Sequence, residues 1–196
     1  MPVDVPLIER KQREARRRIV AAAEELFAAR GFAAVSVSDI AERAEVGRTT
    51  FFRHFGDKQE VVFAREQELL DLLAAETLET DGPDDRSASA ALRALEPVLL
   101  CLCERMTADL DGYRRHVRLV EDHPELGARE GVKMQVVTER LTDLLVAQGW
   151  AGGTATFAAE IALACYRTAR RTSPDPATLV AATRTAIHHA LGLGTR

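Results

Sequence analysis

Apolar residues recur along most of this chain at the three- and four-residue spacing of a helix, and strand-like alternation is scarce. Ile19, Ala23, Leu26 and Phe27 fall at i, i+4, i+7 and i+8, a single stripe on a first helix over about 12–29. Gly31 follows as a left-handed cap, with Phe32 the apolar residue just past it. Ser36 and Asp39 read as a capping box, with Asp in place of the usual Glu, and open a second helix near 37. Glu45-Val46-Gly47 interrupts that helix, and a short third one follows over 48–54. Asp57 is a good N-cap with Glu60 three residues on, so the pattern predicts a long fourth helix over 58–79. TDGPDDRS at 80–87 predicts a loop.

Further helices are expected over 88–108, 113–122, 125–148, 154–171 and 175–191, separated by His123-Pro124, Gly149 to Gly153 and Ser173-Pro174. Pro97 predicts a kink or a break inside the fifth of the nine. The expected fold class is therefore all-α: a three-helix N-terminal domain over 1–58 joined to a larger helical domain over 59–196.

The third helix lies in VGRTTFFRHFGDK, residues 46–58, which is too aromatic for a loop and too basic for a core helix. At 100° per residue Phe51 and Phe55 share one side, Thr49 and Arg53 lie roughly opposite, and Phe52 and His54 flank them. Ile40, Ala41, Ala44 and Val46 are the partners expected for the two inward rings. Small Ala41 and Ala44 let two short helices cross closely, the pattern of a helix-turn-helix whose second helix enters the DNA major groove. Arg48 suits phosphate or the guanine O6/N7 edge, and Thr49 a thymine methyl or a base. Thr50, Arg53, His54 and Lys58 suit phosphate oxygens. At the start of a helix the Lys58 charge opposes the dipole, which a nearby phosphate would offset.

Charge sharpens this picture. The chain of 196 residues has a net charge of −4, yet residues 1–58 carry 11 Lys+Arg against 9 Asp+Glu. Within 9–18 six basic side chains (Arg10, Lys11, Arg13, Arg16, Arg17, Arg18) meet only Glu9 and Glu14, a segment suited to a polyanion. Hydrophobic residues at 46% and charged residues at 29% describe a globular chain with a substantial core. Cys101, Cys103 and Cys165 lie in apolar helical stretches and read as reduced core thiols; on a helix Cys101 and Cys103 diverge, which disfavours a metal chelate. MPVDVPLIERKQREARRR has no apolar run, and no stretch approaches the roughly 20 apolar residues of a membrane span, so a cytoplasmic location with no membrane partner is expected.

SVSDIAERAEVGRTTFFRHFGDKQEVV, together with IVAAAEELFAARGF before it, resembles the DNA-binding domain of the TetR family of one-component transcriptional regulators. The resemblance covers about residues 15–63. It implies that Arg48, Thr49, Thr50, Phe52, His54 and Lys58 contact operator DNA, with Ser36 and Ser38 touching its backbone. Arg53 joins this set from its place on the helix face. Three positions depart from the family pattern: Phe52 stands where Tyr is usual, Gly47 where Ser is common, and Glu45 where Gly is common in the turn.

The resemblance further implies a homodimer built through the last two helices, TATFAAEIALACYRTARR and ATLVAATRTAIHHALGL. Their broad alanine-rich faces suit close self-packing, and they equally suit closing the core of one chain. Between these helices and the fourth helix the family places a pocket for a small-molecule effector. Leu99, Leu102, Cys103, Met106, Tyr113, His116, Val117, Met134, Val137, Phe157, Ile161 and Tyr166 are candidates to line it, mostly apolar with a few polar handles. His188 and His189 read as surface or interface residues.

No phosphate loop, zinc-protease helix or nucleophile elbow is present, so neither an enzyme nor a cofactor is expected. The implied function is repression of transcription through a near-palindromic operator, relieved by a largely apolar ligand. The alternative is a helical ligand- or partner-binding protein without specific DNA recognition.

Overall fold

Local chemistry sets most helix ends in the computed structural model, which describes residues 7–75, 85–173 and 175–193. Helix α1 (Leu7–Arg30) begins earlier than its apolar stripe required and stops at Gly31, whose φ of 77° is left-handed. The Ser36 hydroxyl accepts from the Asp39 N–H at 3.2 Å and the Ser36 N–H donates to Asp39 Oδ2 at 2.8 Å, so the capping box opens α2 (Val37–Arg43) as expected. Helix α3 (Arg48–His54) follows. Asp57 accepts from the Glu60 N–H at 2.8 Å and starts α4.

The long fourth helix is a correction. Helix α4 (Lys58–Val62) ends at Phe63, and α5 (Ala64–Ala75) begins anew. Phe63 leaves helical geometry (φ −99°, ψ 20°), its N–H bonds the Glu60 carbonyl only three residues back, and its ring is fully buried. Burial of that ring outweighs the helix propensity of a segment that contains no Gly or Pro. The expected continuation over 76–79 lies outside the described residues, as does most of the loop expected at 80–87.

Helix α6 (Ala88–Met106) runs through Pro97 without ending. Pro97 is exposed, so the carbonyl that it leaves unbonded can be hydrated. Helix α7 (Leu110–Asp122) starts three residues before the expected position because Asp109 caps it, accepting from the Gly112 N–H at 2.9 Å. Helices α8 (Pro124–Ala147) and α9 (Gly152–Thr172) follow, then a 3-10 turn (Pro176–Thr178) and α10 (Leu179–Gly192). The described residues contain no strand and no helix long and apolar enough to cross a membrane.

The chain divides into two compact units, Met1–Arg65 and Glu66–Arg196. The boundary falls inside α5, so α4 belongs with the first three helices. The core of the first unit gathers Ile19 and Ala23 of α1, Ile40 and Ala41 of α2, and Phe51 of α3, with Val35, Ala44, Phe55 and Val61 around them. In the second unit the buried face of α9 (Ala155, Ala158, Ala159, Ala162, Leu163, Tyr166) packs among α6, α8 and α10. Small side chains at i, i+3, i+4 and i+7 let α9 sit close to three neighbours at once. All three cysteines are free; Cys103 and Cys165 are buried, and burial pushes the Cys103 thiol up to about 11.

Candidate nucleic-acid interface and apolar cleft

Helix α3 has seven residues, too few to persist without packing. Phe51 is 0% and Phe55 2% exposed, and their centroids lie 5.9 Å apart. Burying the Phe51 ring contributes about 1.5–3 kcal/mol, which holds the helix onto α2. The Arg16 guanidinium lies 4.6 Å from the Phe55 centroid and donates to the Ala64 carbonyl at 3.0 Å, which fixes α1 against the same ring. Arg48, Thr49 and Arg53 are exposed on the opposite face, and Thr50 is half-buried at its edge. Among the described residues neither Arg48 nor Arg53 makes an ion pair, whereas Arg18, Arg30, Arg43 and Arg65 are paired with Glu45, Asp39, Glu25 and Glu24. The basic stretch of α1 presents Arg10, Lys11, Arg13, Arg17 and Arg18 to solvent.

Two expected contacts sit differently. Lys58 Nζ donates to the carbonyls of Phe32 and Val35, both at 2.9 Å, and lies 4.3 Å from the Phe32 centroid. Those carbonyls, with that ring, supply the negative charge that a phosphate was expected to give, and they hold the turn between α1 and α2. His54 is half-buried with Nε2 enclosed and unpartnered. Burial first, then the charges of Arg53 and Arg16, lower its pKa, which favours the neutral imidazole. Ser36 is exposed but spends its hydroxyl and N–H on the cap, while exposed Ser38 lies in the first turn of α2.

The three departures from the family pattern each have a structural expression. Phe52 is 48% exposed and packs edge-on against Phe51, with centroids 5.5 Å apart. Gly47 caps α3 with no side-chain hydrogen bond. Glu45 keeps the left-handed turn that Gly would favour, at φ 53°, the one positive φ of a non-glycine residue among those described.

In the second unit an apolar cleft runs between α5, α6, α8 and α9, with about 480 Å³ of empty space that includes its open side. Leu99, Leu102, Cys103, Met106, Met134, Val137 and Tyr166, all expected, line it together. Val117 and Ile161 are half-buried against the core without lining the cleft. Phe157 is a correction: it is 59% exposed, because the inward face of α9 is taken by Ala155, Ala158, Ala159 and Ala162. Tyr113 and His116 stand behind the cleft in a polar cluster. His116 Nε2 lies 2.8 Å from Glu66 Oε1, and Arg170 donates to both Glu130 oxygens, at 2.5 and 3.0 Å.

Glu66, Leu69, Leu70 and Leu73, which also line the cleft, are residues that the sequence reading missed. Their i, i+3, i+4, i+7 spacing puts a carboxylate on an apolar helix face, which was the available signal. Of the paired histidines, His188 is 60% exposed in its side chain and lies 3.2 Å from Glu96.

Residues 19–64 match the family described as bacterial regulatory proteins, tetR family. The HTH-type transcriptional regulator TcmR of Streptomyces glaucescens is 31% identical over 144 residues, which is 72% of this chain and 63% of that protein. An HTH-type transcriptional repressor of Mycobacterium tuberculosis is 52% identical over 46 residues, 24% of each chain. The chain thus spans less than two thirds of the length of either relative. SmeT, the repressor of the Stenotrophomonas maltophilia multidrug efflux pump SmeDEF, shares the fold with a TM-score of 0.59 at 20% identity, covering 91% of this chain and 89% of that one. With residues 19–64 matching that family and a regulator 31% identical over 72% of this chain, the chain belongs to the TetR family of bacterial regulatory proteins.

Proposed function

We propose that the protein is a cytoplasmic transcriptional repressor that binds a near-palindromic operator as a homodimer and lets go when a largely apolar small molecule enters the cleft. It has no catalytic role in this reading. The observation that carries the proposal is the arrangement of α3: Phe51 and Phe55 are buried behind it, while Arg48, Thr49 and Arg53 stand exposed and without ion pairs in front. Two such helices, one from each protomer, would meet successive major grooves about 34–36 Å apart. Arg48 and Thr49 are assigned to base edges; Arg53, Thr50, Ser38 and the basic stretch of α1 are assigned to phosphates.

Dimer formation is assigned to the outer faces of α9 and α10, where Phe157, Ala164 and Ala181 are exposed. Ligand response is assigned to the cleft, whose α5 wall leads back along the chain to α4 and the recognition helix. Parting that wall requires a coupling of only about 1–3 kcal/mol to weaken operator binding 5- to 150-fold.

Replacing Arg48 and Thr49 together by Ala should remove the preference for the DNA upstream of the protein's own gene over random DNA in a gel-shift titration. Weak, salt-sensitive binding to both should remain. A double variant that discriminates as well as wild type would refute the assignment of α3.

A further inference from the structure

Behind the cleft, the second unit buries more polar chemistry than its apolar lining accounts for. Glu66 faces His116 at 2.8 Å and Glu130 grips Arg170 through both oxygens, so each carboxylate has a basic partner within the cluster. Tyr113 and Tyr166 complete it, 7% and 3% exposed, close enough to each other and to Arg170 to perturb one another's charge. Glu66 Oε2 has no hydrogen-bond partner there, and the two tyrosine hydroxyls reach only each other and, for Tyr166, Arg170, without full hydrogen-bond geometry. An unsatisfied buried polar atom costs about 1–3 kcal/mol, so a cluster left this incomplete calls for an explanation. Glu66 and Tyr166 belong to this cluster and to the cleft wall alike.

The chemistry of the three atoms selects the missing partner. Glu66 Oε2 only accepts, so it needs a donor; if one phenol donates to the other, one phenol proton still needs an acceptor. One hydroxyl does both. An ammonium group could donate to Glu66 but could not accept from a tyrosine. A carboxylate could accept from the tyrosines but would face Glu66 Oε2, like charge against like.

We propose that the ligand of this cleft is an uncharged, mostly apolar molecule bearing a hydroxyl, as a phenol or an alcohol does. Its O–H donates to Glu66 Oε2 and its oxygen accepts from Tyr113 or Tyr166. The apolar remainder lies along Leu102 and its neighbours. This rests on the reading of the cleft as the ligand site. The ligand enters by parting the side chains in front of the cluster.

Calorimetric titration of the full chain with para-hexylphenol, para-hexylbenzylamine, para-hexylbenzoate and hexylbenzene tests it. The phenol should bind about tenfold or more tightly than the other three, the worth of a hydrogen bond to a charged group. Glu66→Gln should reduce that preference severalfold. Tyr166→Phe should weaken phenol binding while leaving hexylbenzene binding unchanged; a merely structural tyrosine would weaken both. Leu102→Trp, which fills the cleft, should abolish binding of all four. If hexylbenzene, the amine or the benzoate matches the phenol and Leu102→Trp still blocks it, the cleft stands as a ligand site and the hydroxyl anchor falls. If none of the four binds, or if Leu102→Trp leaves phenol binding unchanged, the cleft reading itself falls and takes this inference with it.

Discussion

Glu45 offers a direct measure of strain in the turn between α2 and α3. Its φ of 53° is left-handed, a conformation that costs an L-residue about 1–2 kcal/mol. Glu45→Gly removes that cost, and adds about 0.5–1 kcal/mol for the larger freedom that glycine loses on folding. The side chain itself contributes little: it is 86% exposed, and its approach to Arg18 is 3.9 Å, a surface pair of negligible worth. The net expectation is stabilisation of the first unit by about 0.5–1 kcal/mol.

Native-state hydrogen exchange on the full chain reads this locally, at the amides of Ala44, bonded to Ile40, and Phe51, bonded to Gly47. Both should exchange about two- to fivefold more slowly, the free energy above expressed as an equilibrium ratio. Glu45→Ala is the control, because it removes the charge and keeps the strain, and it should leave both rates nearly unchanged. Equal slowing by Ala and Gly would show that the charge, not the backbone, was the source. Faster exchange in Glu45→Gly would refute the strain argument outright.

Two titrations test the electrostatics. The Ser36 hydroxyl, then the Ser36 N–H and then Arg30 hold the Asp39 carboxyl down from 3.8 to about 2. Its contribution to the α2 cap is therefore present above pH 3.8 and lost as pH falls through about 2; Ser36→Ala should raise the midpoint read by carboxyl-carbon NMR. For His116, burial alone would lower the pKa, but the hydrogen bond and charge of Glu66, with the charge of Glu130, outweigh it and raise the value above 6.5. Its contribution to stability is present below pH 6.5 and is lost as pH rises through the raised value; Glu66→Gln should bring the imidazole midpoint down, and an unmoved midpoint would break the pairing.

Helix ends were the most legible part of the sequence, because a cap is settled by three or four neighbouring residues. Gly31, Ser36 with Asp39, and Asp57 each stop or start a helix as their types dictate. The inward rings of α3 were legible for a similar reason, since Phe51 and Phe55 are one turn apart. The break at Phe63 was not, because nothing near it disfavours a helix and only burial of the ring turns the chain. Glu130 and Arg170 are 40 residues apart on separate helices, so no local spacing could pair them. Phe157 misled because an aromatic on an alanine-rich helix looks inward until the helix is seen to bury its alanines.

Lys58 has a last consequence. By anchoring the carbonyls of Phe32 and Val35, it ties down the approach to α2 within the folded chain itself. The entropy of ordering that stretch is lost during folding, once, and under the proposed function would not be lost again at each encounter with an operator. Lys58→Met would untether it, and under the proposed function every association would then begin from a looser surface.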